Sequence, residues 1–204
     1  MDELSLRDLE LMARGKIAWE TPLALMAATC ADDILARVDP AIDHILQEFS
    51  RTPKERHDRS EDGLSIDLIT SLKHFGFEAT HDTTTGGHCD IVIDGRFDFL
   101  WLGEAKIHSG YDWLLKGFNQ LDSRYATAIK DQDHGGIVIY HRGARADRVM
   151  DEWEKHLAES RPDVTIETRE PGDLVMNTRH VHERTGREYK VRHVIVSLYW
   201  NPKN

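Results

Sequence analysis

The chain has 204 residues, 26 basic and 36 acidic, for a formal net charge of −10 with histidine neutral. That length makes one domain of ordinary size with at most a helical appendage, and it buries roughly 70% of the unfolded surface, so no disulfides are needed to hold a core. Hydrophobic residues at 40% and charged residues at 30% exclude long disorder as the main state, and the acidic balance excludes a histone-like, wholly electrostatic nucleic-acid binder. Charge is unevenly spread. Residues 1–50 hold four basic and ten acidic residues, whereas residues 179–192 hold Arg179, Arg184, Arg187, Lys190 and Arg192 against only Glu183 and Glu188. The longest apolar runs, 99–102 and 137–140, are far too short to cross a bilayer. Met1-Asp2-Glu3 has the wrong charge for a signal or transit peptide. Cys30 and Cys89 are the only cysteines, which disfavours both a disulfide scaffold and a four-cysteine zinc site. The expectation is a cytoplasmic protein.

In chain order, the first fifty residues read helical: Leu4, Leu6, Leu9 and Leu11-Met12, then 23–26, then Ile34, Leu35 and Val38. Pro40, a residue favoured in a first helical turn, precedes a further helical segment over 41–46. Residues 50–60 are polar and read as a linker, dividing a helical segment, 1–52, from a main domain, 53–204. Ser60 can cap a helix carrying Leu64, Leu68, Ile69, Leu72 and Phe75 that stops near Gly76. Residues 77–80 are a candidate strand, 82–87 a polar run ending in Gly86-Gly87, and 90–93 a strand. Asp94-Gly95 reads as a two-residue hairpin turn into a longer strand over 97–107. An amphipathic helix with Leu114, Leu115, Phe118, Leu121 and Tyr125 follows, then a buried-type strand over 136–140. A helix over 145–158, a strand over 164–168 and a final hairpin over about 174–182 and 189–200 complete the chain. The alternation is that of an α/β fold.

Asp90 opens one strand, and Glu104-Ala105-Lys106 ends its partner. Period-two alternation puts Glu104 and Lys106 on one face and Ala105 on the other. Charges inside so apolar a strand need a reason. Two carboxylates beside one ammonium form an oxygen-rich pocket suited to a hard divalent cation such as Mg²⁺. A surface ion pair is the plain alternative.

This set resembles the PD-(D/E)xK nuclease superfamily over about residues 60–141. Cys89-Asp90 stands where that family often has Pro-Asp, and Glu104-Ala105-Lys106 matches its acid-x-lysine element. The resemblance implies a restriction-endonuclease-like α/β fold: a mixed central sheet flanked by helices, here with N-terminal helices and a C-terminal β-hairpin. It implies catalytic roles for Asp90, Glu104, Lys106, Glu61 and Gln120, with Mg²⁺ (or Mn²⁺) held by Asp90, Glu104, Ala105 and Glu61. For the helix glutamate, Asp62 and Asp67 are alternatives to Glu61. Gln120 and Tyr125 are five apart, where the family's glutamine–tyrosine pair is four apart.

The expected activity is metal-dependent phosphodiester hydrolysis of nucleic acid, DNA first. The alternative is an inactive nuclease-fold module that binds nucleic acid or a regulatory partner. Arg184, Arg187 and Lys190 are the candidate phosphate contacts. A homodimer, and a partner protein docked on the N-terminal helices, are further expectations. His180, His182 and His193 invite a zinc reading, but no cysteine or further ligand stands at fixed spacing. His88 is a loop residue near the site. Cys89 is no nucleophile, because acidic surroundings raise a thiol pKa, and Gly86-Gly87 lacks the Gly-Lys-Ser/Thr of a phosphate loop.

Overall fold

A computed structural model describes residues 5–82 and 89–202. The expectations for Gly86-Gly87 and His88 lie outside the described residues. Three helices come first: α1 (Leu6–Ala13), α2 (Ile17–Ala27) and α3 (Ala31–Arg51). Pro40 lies inside α3 instead of opening a new helix. A proline there removes one backbone bond and costs about 3 kcal/mol. The stripe Ile34, Val38, Ala41, Ile42, Ile45, Leu46 and Phe49 is buried on both sides of it, at roughly 1.5–3 kcal/mol per large side chain, and outweighs that loss.

The rest of the chain runs α4 (Glu61–His74), β1 (Glu78–Asp82), β2 (Cys89–Asp94), β3 (Leu100–Ile107), α5 (Tyr111–Gln120), β4 (His134–His141), α6 (Ala146–Ser160), β5 (Thr165–Ile166), β6 (Val175–Val181) and β7 (Glu188–Ser197). The strands form one mixed sheet in the order β1-β2-β3-β4-β7-β6-β5. The centre, β3-β4-β7, is parallel, and the flanking pairs are antiparallel. The α/β expectation with a C-terminal hairpin therefore holds, with one refinement: β7 pairs in parallel with β4 along its length, so the hairpin completes the sheet instead of extending from it.

One apolar cluster packs α3 and α4 on one face, through Val38, Ile42, Leu64, Leu68, Trp101, Ala105 and Tyr140 among others. A second packs α5 and α6 on the other, through Leu102, Leu114, Phe118, Ile137, Ile139 and Trp153. Because α3 shares its cluster with α4 and the sheet, the boundary expected near residue 52 falls in a turn between two helices of one layer. The large apolar side chains of the outer helices, Leu11, Met12, Trp19 and Met26, are exposed. Among the described residues no helix is long and apolar enough to cross a membrane.

The Asp94-Gly95 turn is looser than a two-residue hairpin. Asp94 pairs with Leu100, and Phe97 and Asp98 adopt left-handed backbone at φ 66° and 57°. Arg96 explains the excursion: its guanidinium donates to the carbonyls of Leu25 (2.8 Å) and Ala28 (3.1 Å), satisfying acceptors at the end of α2 that the helix leaves open.

Candidate active site

The site forms where two strands part. The β2–β3 ladder runs from Asp94↔Leu100 to Ile91↔Gly103 and stops. Beyond it, backbone N–H groups of β3 find side-chain acceptors: Ala105 donates to Asp90 Oδ2 (2.9 Å) and Ile107 donates to Glu61 Oε2 (2.7 Å). Ser60 caps α4 by accepting from the Gly63 N–H (3.1 Å), which fixes Glu61 in the first turn, where the helix dipole favours an acid. Of the three helix acids, Glu61 alone reaches β3. Asp62 is exposed, and Asp67 pairs with Arg59 at 2.9 Å.

Lys106 sits at the centre. Its Nζ lies 2.7 Å from Glu104 Oε1, 3.4 Å from Glu61 Oε1 and 3.5 Å from Asp90 Oδ2, and it donates to the Ala105 carbonyl at 3.1 Å. Glu104 and Lys106 are 2% and 5% exposed, so the floor of the cluster is shielded from water while Asp90 and Glu61 reach its half-buried rim. Helix α5 closes it from above. A Cβ on Gly117 would stand 3.0 Å from Lys106 Cγ and 3.4 Å from Glu104 Cγ, so any side chain here makes the Lys106 and Glu104 side chains shift by a few tenths of an ångström.

Three carboxylates face one ammonium, and the excess negative charge falls on the most buried acid. Burial, then the Asp90 carboxylate, pushes Glu104 up to about 7, against the pull of Lys106. Burial disfavours the Lys106 cation, but Asp90, Glu104 and Glu61 together outweigh that and raise its pKa. Lys106 is thus a fixed cation and hydrogen-bond donor, not a base. Glu104 Oε2 is buried with no hydrogen-bond partner among the described residues. Burial above all pushes the Cys89 thiol up to about 12, which accords with its exclusion as a nucleophile.

For a divalent cation the donor chemistry fits: hard carboxylate oxygens already converge on a cation, and one buried oxygen is left over. Among the described residues no group of three or more His, Cys, Asp or Glu side chains stands ready to hold a metal, and the ammonium occupies the middle of the acids. A metal therefore requires Lys106 to yield ground.

Gln120 is half-buried, one turn after Gly117 and on its stripe. No hydrogen bond joins it to Lys106 among the described residues. The five-residue spacing to Tyr125 has a structural counterpart. Residues Leu121–Tyr125 form a π-helical turn, with the Ala126 N–H donating to the Leu121 carbonyl at 2.9 Å. Such a turn absorbs one extra residue. Tyr125 is buried; burial, then the charge of Glu104, raises its pKa.

The expected phosphate contacts lie elsewhere. Lys106 is level with Ile139 and hence with Ile195, whereas Lys190 pairs with His134. Five strand positions, about 17 Å, separate the two levels, and Arg184 and Arg187 lie beyond Lys190 in the turn before β7. Part of the basic charge there is already paired: Arg192 with Asp43 at 2.7 Å, Arg179 with Glu188 at 3.0 Å.

The three histidines of the zinc reading are core residues. His193 accepts from the Trp153 indole N–H (3.2 Å) and pairs with Thr178 Oγ1 (3.0 Å), and burial pushes it down to about 3. His180 and His182 contact the carboxylate and the carbonyl of Asp122, at 2.9 and 3.1 Å. Sequence reasoning missed Gly117 and Trp113, whose indole flanks Lys106 at 5.5 Å. A glycine amid a strongly amphipathic helical pattern was the available signal. The chain matches no protein-family model, no curated protein and no solved structure.

Proposed function

We propose that this protein is a metal-dependent nuclease of the PD-(D/E)xK type, with a restriction-endonuclease-like fold, acting on DNA. The observation that carries the reading is the charge count of a cluster with a buried floor and a half-buried rim: Asp90, Glu104 and Glu61 against Lys106 alone. A stable core has no use for surplus buried negative charge, whereas a site that must gather positive charge around a phosphodiester does. Asp90, Glu104, Glu61 and the Ala105 carbonyl would hold Mg²⁺ or Mn²⁺, which supplies Lewis acidity to the phosphate oxygens and to the attacking water.

The chain's own groups do the rest. The Lys106 ammonium, once it has yielded the middle of the acids, donates hydrogen bonds to water and to the phosphate, so that a cation meets the charge that builds on the phosphoryl oxygens. Glu61 and Asp90, anchored by the N–H groups of Ile107 and Ala105, do not need to reorganise. Gln120 borders the pocket as a positioning residue. The test is incubation with plasmid, linear duplex, single-stranded DNA and RNA, with and without Mg²⁺ or Mn²⁺. Metal-dependent cleavage lost in Asp90→Ala supports the reading; no cleavage of any substrate with either metal overturns it.

A second reading has its own observation. The ammonium already neutralises part of the cluster from its centre, as an internal ion network would, which suits an inactive nuclease-fold module. Calorimetric titration with Mn²⁺ separates the two, since a degenerate module binds none.

A further inference from the structure

We propose that the exposed indole of Trp113 is a stacking platform for an unpaired nucleobase next to the bond being cut, so that the preferred substrate is a strand with free bases and not continuous duplex. The proposal rests on the nuclease reading and names its substrate class. Of the tryptophans in the sheet and its flanking helices, Trp101 and Trp153 are buried in the two apolar clusters, where they have a packing role. Trp113 belongs to neither cluster and is 37% exposed. Trp19 and Trp200 are exposed as well, at 55% and 42%; what sets Trp113 apart is its place, with its ring beside the Lys106 ammonium.

Its position is specific. Trp113 lies one turn before Gly117 on α5, the glycine whose missing side chain lets α5 sit on Lys106 and Glu104. Residues four apart share a helix face, so the indole stands at the rim of the pocket. Lys106 Nζ is 5.5 Å from the ring centroid and Lys116 Nζ 4.9 Å, both within cation–π range. A partly exposed indole with one buried and one exposed ammonium over its ring matches what a single strand offers once the mobile Lys116 side chain swings from the ring to a phosphate: a base with a π-face on either side and a phosphate next to it. A base inside a duplex has both faces covered by its neighbours and cannot take this place without unstacking.

The experiment is fluorescence anisotropy in EDTA at fixed low salt, so that no cleavage occurs. The probes are a fluorescein-labelled oligothymidylate, the same strand annealed to its complement, and an oligouridylate; the proteins are wild type, Trp113→Ala and Trp113→Phe. The wild type is expected to bind the single strands more tightly than the duplex. Trp113→Ala should weaken single-strand binding about tenfold or more, the worth of one stacked base, with duplex binding unchanged and Trp113→Phe retaining most of the affinity. Equal binding by wild type and Trp113→Ala, an equal loss on the duplex, or a wild type that prefers duplex overturns the platform. If Trp113→Ala matches the wild type here while the wild type cleaves in the Mg²⁺ or Mn²⁺ incubation, this inference alone is sunk. A wild type that binds none of the probes here and cleaves nothing in that incubation removes the nuclease reading as well.

Discussion

Two buried polar clusters lie on the same face of the same sheet, and they are built on opposite principles. In one, Asp122 accepts from His180 and from Arg161, which contacts it at 3.1 Å. Burial would raise the Asp122 carboxyl, but those two partners hold it below the usual range. His193 next to it is neutral with both ring nitrogens engaged; only one ring nitrogen on each of His180 and His182 goes without a partner. In the other cluster the charges do not balance, one carboxyl is driven up to about 7, and a carboxylate oxygen is orphaned. The first network thus balances its charges although two of its ring nitrogens go unpartnered, whereas the second carries surplus negative charge and is frustrated. Frustration retained in a packed interior marks a site shaped by something other than stability.

The largest expected effects fall on the frustrated cluster. Asp90→Ala and Glu104→Ala should abolish metal-dependent cleavage and divalent-cation binding together. Lys106→Ala should lose about 10²–10³ in rate while still binding Mn²⁺, because a protonated lysine is no ligand. Titration calorimetry alongside gel-based cleavage, on variants shown folded by melting, separates the roles. Asp90→Ala with near-normal metal-dependent cleavage would break the comparison outright. Gly117→Ala sharpens it: roughly 1 kcal/mol of helix propensity is gained, the new methyl presses on Lys106, and so cleavage should fall about tenfold with the melting temperature little changed.

The compensated cluster should answer in stability. Asp122→Ala removes the acceptor that Arg161 and His180 share, at a cost of about 3 kcal/mol, read as a lowered melting temperature. Cleavage per folded molecule should be unaffected. A variant as stable as wild type would mean that the network is not compensated as drawn.

The same contrast has a pH signature. Glu104 has its folded pKa raised above the unfolded value of 4.5 to about 7, so between those values the folded state binds the extra proton and stability declines as pH rises. The cost is absent below about pH 4.5 and complete above about pH 7. Glu104→Gln removes it, and should therefore raise the melting temperature at pH 8 by the equivalent of roughly 1–3 kcal/mol, and much less at pH 5. A gain that is equal at both pH values would contradict the assignment of the surplus charge to Glu104.

How much of this was legible in the sequence follows the range of the interactions. Asp90, Glu104 and Lys106 announced themselves because period-two alternation is local and charges in an apolar strand are conspicuous. The Ser60 cap and Glu61 behind it were equally local. Pro40 misled because its helix is held by burial against a sheet that the local pattern does not show. The Asp94-Gly95 turn misled because Arg96 answers to carbonyls some seventy residues earlier. The π-helical turn after Gln120 was visible only as a spacing one residue too long, and Gly117 and Trp113 acquire meaning only once α5 is laid over β3.

The smallest expected effect concerns the basic end of the hairpin. Changing Arg184, Arg187 and Lys190 together to glutamate alters charge about 17 Å or more along the sheet from the level of Lys106, which corresponds to roughly five base steps of a strand at about 3.4 Å per step. A short single strand seated on Trp113 ends before it reaches them; a long duplex or a duplex–single-strand junction does not. The triple variant should therefore bind a short oligothymidylate as the wild type does, bind a long junction substrate several-fold more weakly, and show there a shallower dependence of affinity on salt, by up to about 0.9 in slope for each phosphate that the variant no longer neutralises. Cleavage per bound complex should stay the same, because nothing at the pocket has changed. Unchanged affinity and unchanged slope on the long substrate would take the hairpin off the substrate path. A loss on the short strand as large as on the long one would place its path along the hairpin and away from Trp113.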